Sequence, residues 1–210
     1  MTAPTTIPTP IKLSPLWIIL WVIIFLVLGL YWFFTGTYNN LVTQEEQVKT
    51  AWAQVENQYQ RRLDLIDNLV STVKWSANFE KSTLEAVVNA RASATKTTID
   101  VNNVSDIAKF QAQQNGLSQA LSRLISVSEN YPDLKASKQF GDLMVEVAGT
   151  ENRIATERGR YNDTVQTFNT YVRIFPRSIV ANMFGFSQKT RFEADAWANK
   201  APKVDFGTFK

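Results

Sequence analysis

Residues 43–94 read TQEEQVKTAWAQVENQYQRRLDLIDNLVSTVKWSANFEKSTLEAVVNARASA, and this stretch decides the fold. At about 3.6 residues per turn, Val48, Trp52, Val55, Tyr59, Leu63, Ile66, Val70, Val73, Ala77, Leu84 and Val87 line one face. The spacing predicts a single amphipathic helix about 75 Å long, interrupted on its apolar face by Glu80 alone. Such a helix is marginal by itself in water, so other segments must cover the stripe.

Towards the amino terminus, Gly36 and Asn39-Asn40 predict a hinge over residues 35–42. Thr43 with Glu46 then forms a capping-box pattern that restarts the helix, nearly collinear if the hinge is straight. Leu16 to Phe34 carries no charge and reaches about 28 Å as a helix, enough to cross a hydrocarbon core. Trp17, Trp21, Tyr31 and Trp32 mark its ends as interfacial aromatics do, and no small-residue cleavage pattern follows, so the segment reads as an uncleaved single-pass anchor. The proline- and threonine-rich residues 1–15 read as a disordered tail. Because that tail is short and nearly uncharged, the expected orientation places the soluble part in the cytoplasm.

Towards the carboxyl terminus, β-branched residues near Thr95 to Thr98 and turn formers Asp100, Asn102 and Asn103 end the first helix and cap a second. Its stripe is Ile107, Phe110, Gln114, Leu117, Leu121, Leu124 and Ser128, carried through Asn115-Gly116. Tyr131-Pro132-Asp133 marks a turn, and Phe140, Leu143, Val147, Ile154, Tyr161, Val165, Phe168, Val172 and Phe175 give a third stripe that stops at Pro176. Ile179 to Phe186 is too apolar to be free and should fold back over Val165, Phe168, Val172 and Phe175, with Gly185 as a helix cap. Phe192 and Trp197 fall in a stretch compatible with a short fourth helix. The expected architecture is all-α: a transmembrane helix over 16–34, then an elongated antiparallel bundle over 43–200 made of three long helices and a short helical segment, then an extended tail over 201–210.

Composition narrows the function. A net charge of +3 with both signs interspersed and no basic run argues against nucleic acid. The chain has no histidine and no cysteine, which excludes zinc-protease, Ser-His-Asp, Cys-His and Glu-x-x-His di-iron arrangements. No glycine-rich phosphate loop occurs. Asp64 and Asp67 are a candidate carboxylate pair, but they sit on the polar side of the helix, where a solvated face is the simpler reading. No cofactor, metal ligand or catalytic residue is expected.

The motif Tyr59-Gln60-Arg61-Arg62, running into Asp64-Leu65-Ile66, Asn68-Leu69-Val70 and Val73-Lys74, resembles the signature of the LemA family. Tyr131-Pro132-Asp133-Leu134-Lys135-Ala136, Glu151-Asn152-Arg153-Ile154, Arg160-Tyr161-Asn162, Phe175-Pro176 and Gly185-Phe186 follow in the family's order. The resemblance covers Tyr38 to Phe206. Asp67 departs from it where a proline is common, and Ser187 to Arg191 lacks the usual prolines. It implies a membrane-anchored bacterial helical bundle without established catalysis, sometimes encoded near envelope proteases, and it brings no active-site residues.

The expected role is therefore a non-enzymatic scaffold that self-associates at the bacterial cytoplasmic membrane, with an adaptor for an envelope protease or another membrane protein as the alternative. Two interaction surfaces are expected. Val48, Trp52, Val55, Tyr59 and Leu63 keep coiled-coil spacing along a stalk that, by counting helix lengths, the later helices do not reach, so they predict a homo-oligomer. Trp75 and Phe79 point away from the main stripe and form a second apolar spot. Charges on the stripes read as interhelical ion pairs, and the same level counting pairs Arg91 with Glu151.

Overall fold

The computed structural model describes residues 15–75, 79–96 and 99–193. Both terminal tails, Ala77 and Trp197 lie outside them. Among the described residues the fold is all-α, with six helices: α1 Pro15–Lys74, α2 Lys81–Ala94, α3 Val104–Ser128, α4 Pro132–Ala136, α5 Lys138–Arg173 and α6 Arg177–Met183.

The membrane segment and the stalk are one helix, so the expected hinge is absent. The polar residues that suggested a break bond back into the helix: Asn40 Nδ2 donates to the Gly36 carbonyl at 2.9 Å and Thr43 Oγ1 to that of Asn39 at 2.9 Å. Tertiary packing completes the reason, because Thr37 and Leu41 are already buried and the bundle begins before residue 43.

The long helix expected over residues 43–94 is instead two. α1 stops at Lys74 and α2 runs back alongside it, which the pairing of Arg91 with Asp67 fixes. In one straight helix those residues would stand about 36 Å apart. Residues 99–103 continue in the same direction down to the stalk, where Asn102 meets Lys189 at 2.7 Å. Asn103 then caps α3, its side chain accepting from the Ser105 amide at 3.0 Å. α3 climbs unbroken through Asn115-Gly116, and its buried residues are the expected stripe from Ile107 to Ser128. After the short α4, α5 descends against α1 from Trp75 to the membrane end. The result is an up-down-up-down bundle in which α1 packs mainly on α5 and α2 on α3.

Two clusters make the core. The distal one joins Leu63, Ile66, Leu69, Val73, Val87, Leu117, Leu124 and Phe140; the membrane-proximal one joins Leu41, Val48, Trp52, Val55, Tyr161, Val165, Phe168, Val172, Val180 and Ala181. α6 thus folds back over part of the α5 stripe, although Phe175 stays outside it at 77% exposure. Gly185, at φ 77°, closes α6, and the Phe186 amide donates to the Ala181 carbonyl at 2.9 Å.

Phe192 lies in an extended strap, residues 186–193, and not in a fourth helix. Two asparagines on α5 hold that strap by its backbone. Asn169 donates to the Lys189 carbonyl at 2.9 Å and accepts from its amide at 2.8 Å; Asn162 does the same for Phe192 at 3.1 and 2.9 Å. Phe192 then lies flat on Trp52, with centroids 5.6 Å apart and planes 16° from parallel.

Candidate functional site

The strap, the start of α3 and the end of α5 together cover the stalk that was expected to be bare. Val48 and Val55 are fully buried, and Trp52, Tyr59 and Leu63 nearly so. Trp52 is enclosed by Phe110, Tyr161 and Phe192, at centroid distances of 5.8, 5.4 and 5.6 Å. These five residues are core within one chain. α1 ends at Lys74, about 35 Å short of where a single helix to residue 97 would reach, so the later helices lie lower along the stalk than helix lengths predict.

The ion pairs also differ from expectation. Arg91 pairs with Asp67, and Glu151 pairs with Arg62 at 2.7 Å. Arg62 is 1% exposed and also donates to Ser118 Oγ at 2.8 Å, so one guanidinium ties α1, α3 and α5 at the boundary between the two core clusters. Burial pulls its pKa below the ordinary arginine value, while Glu151 and Tyr59 act in the opposite sense. The same surroundings push the Tyr59 phenol up, chiefly by burial. Tyr161, buried and donating to the Thr190 carbonyl at 2.8 Å, is pushed up to about 12 by burial. This cluster fixes the register of three helices.

The carboxylates are engaged elsewhere too. Asp64 accepts from Gln60 at 2.9 Å, and Asp67 holds Arg91. Among the described residues no three Asp or Glu side chains converge as a metal site would require.

What remains is the tip farthest from the membrane span. Phe79 and Tyr131 meet there with centroids 4.8 Å apart and planes tilted by 38°, and both are half-buried against the distal core, so Phe79 packs within the tip. Trp75, in contrast, is 90% exposed. Two clefts flank it and share Thr72, Trp75 and Ser137. One, about 410 Å³, runs along α1 and the start of α5 past Asn68, Gln139 and Leu143. The other, about 380 Å³, is bounded by Asn130 to Leu134 and floored by the buried Leu134. Pro132 opens α4 at its first turn, where a missing amide costs nothing, and so shapes that wall. Of the two aromatics expected as an apolar spot, the structure leaves one free and packs the other. The Tyr131–Ala136 motif supplies the second wall, a placement that only the chain reversal after α1 reveals.

A family model described as the LemA family matches residues 51–206. Protein LemA of Metamycoplasma hominis is 26% identical over 184 residues, covering 87% of this chain and 80% of that protein. Magnetosome protein MamQ 2 of Paramagnetospirillum magneticum is 27% identical over 175 residues, and Magnetosome protein MamQ of Magnetospirillum gryphiswaldense is 24% identical over 174. In both cases the alignment covers 74% of this chain and 64% of the relative, so the chain spans less than two thirds of the length of these magnetosome proteins.

Proposed function

Because this chain belongs to the LemA family, and carries one helix long and apolar enough to cross a membrane, we propose that it is a non-enzymatic docking module anchored in the bacterial cytoplasmic membrane. It binds a second membrane-associated protein at its distal tip. The observation that carries this reading is Trp75, 90% exposed between two clefts on the end of the bundle opposite the span. An exposed tryptophan is the residue type that anchors protein interfaces, and clefts on both sides supply room for reciprocal side chains. α1 is unbroken from Phe34 to Lys74, so the tip stands about 60 Å along the helix from the end of the apolar stretch. The anchor confines the module to a surface, which raises its effective concentration for a partner on the same membrane. The magnetosome names of two relatives favour a role in an assembled structure over catalysis. The buried stalk removes the reason for a homo-oligomer through α1 and shifts the balance from self-associating scaffold to adaptor.

Site-specific photocrosslinking in living cells tests this. A photoreactive residue at Trp75 should give a discrete adduct with another protein, while one at the exposed Lys109 on the flank of α3 should not. An adduct of twice the chain's own mass at Trp75 would restore self-association, now through the tip. Absence of any adduct specific to Trp75 would refute docking there.

A further inference from the structure

At the opposite end of the bundle, the corner between α5 and α6 exposes five large apolar side chains together: Ile174 47%, Phe175 77%, Ile179 48%, Met183 65% and Phe184 53%. Their height above the membrane follows from α1. The continuous apolar stretch ends at Phe34, before the polar residues Thr35, Thr37, Asn39 and Asn40, and Tyr38 lies one turn, about 6 Å, further along the helix. The Tyr38 ring touches Phe184 at a centroid distance of 4.8 Å and Phe186 at 5.9 Å. Phe33 and Phe34 pack on the cluster that contains Val180 and Ala181, the inward face of α6. α6 is therefore held level with residues 34–38. A headgroup layer is about 5–7 Å deep beyond the hydrocarbon, so this short helix lies within it.

We infer that the α5–α6 corner is a second membrane contact: these side chains sit in the headgroup–acyl boundary of the leaflet from which the span emerges. Three observations select lipid over a protein. The patch is continuous with the lipid-facing surface of α1, because Tyr31 and Trp32 are 63% and 73% exposed just below it. Its sequence is of interfacial type, since from Thr170 to Gln188 the charged residues are Arg173 and Arg177 only, both cationic and suited to anionic headgroups. Arg177 lies over the Tyr171 ring at 4.3 Å, beside the exposed apolar side chains of the corner. With two attachments, span and corner, the bundle cannot swivel about α1, and the tip is held at a fixed height. This contact is independent of the docking reading for Trp75, and either can fail without the other.

The absence of native cysteine makes a depth measurement clean. Spin labels at Phe175→Cys and Met183→Cys, in the full chain reconstituted into phosphatidylethanolamine–phosphatidylglycerol vesicles, are compared by power saturation against oxygen and a water-soluble nickel complex. Leu20→Cys, in the span, is the lipid reference, and Val145→Cys, 75% exposed on distal α5, is the water reference. The expected result is an oxygen-to-nickel ratio at both corner positions several-fold above that at position 145 and approaching that at position 20. A ratio equal to that at position 145 overturns the inference by placing the corner in water. Low collision rates with both reagents also overturn it, since they would mean that another protein or a second copy covers the corner.

Discussion

Replacing Phe192 by alanine should uncouple the strap from the bundle, with a cost that the structure allows to be worked out. Its ring is 6% exposed, lies flat on Trp52, meets Tyr161 edge-on at 5.5 Å and carries the Arg158 guanidinium over its face at 4.7 Å. Truncating a buried phenylalanine of this kind costs about 3–5 kcal/mol, a figure that already contains the aromatic and cation–π contributions. At about 2–4 °C per kcal/mol for a domain of this size, the melting temperature should fall by about 6–20 °C. The assay is thermal unfolding of the full chain in mild detergent, followed by far-ultraviolet circular dichroism. A double-mutant cycle with Trp52→Ala localises the effect: the two losses should be strongly sub-additive because each removes the same stacked contact. The Phe192→Ala variant should also self-associate, since Trp52 loses cover. A melt within about 3 °C of the parent, or fully additive losses, would refute the strap as cover for the stalk.

The ion pairs should respond unequally. Glu151→Ala strands the Arg62 guanidinium, whose side chain is 2% exposed, and should cost about 3–5 kcal/mol, whereas Arg62→Met leaves a glutamate that is 45% exposed to water and should cost less in chemical melts. Arg91→Ala breaks a pair whose members are 29% and 55% exposed, so the expected loss is about 0.2–1 kcal/mol, weakened by salt and additive with Glu151→Ala. Alkaline pH should destabilise the fold through Tyr161: its phenol is held at about 12 against an ordinary 10, so the folded state keeps a proton that the unfolded state loses. Stability is intact below pH 10 and falls between 10 and 12, and Tyr161→Phe should flatten that limb of the melting profile while losing about 1 kcal/mol at neutral pH with the bond to Thr190. Val55→Cys in membranes should neither crosslink between chains nor react with a maleimide, because that position is fully buried.

The stripes were legible because they are long and periodic. Every residue of the α3 stripe from Ile107 to Ser128 is buried, as are Val48 to Val73 along α1. The break after Lys74 was not legible, since Trp75 to Glu80 contains neither glycine nor proline and the apolar period resumes at Leu84. The reversal at that break brings Arg91 to Asp67 and Glu151 to Arg62, and lowers the later helices onto the stalk. The strap left a faint trace. Asn162 and Asn169 stand two turns apart in mid-helix beside Tyr161 and Phe168, where asparagine is a poor helix former, and such a pair signals side chains engaged with another backbone. Gly36 and Asn40 misled in the other direction, because tertiary contacts through Thr37 and Leu41 override a weak local preference. Trp75 is exposed, and its clefts depend on α4 and the start of α5, which only the folded chain brings to it.

The most direct measurement is the mass of the intact assembly extracted from native membranes into polymer nanodiscs without detergent, for the parent chain and for Trp75→Ala. The account predicts one copy of this chain together with a different protein, and loss of that protein in Trp75→Ala with the chain still folded. Several copies of the chain with no other protein, unchanged by Trp75→Ala, would contradict it.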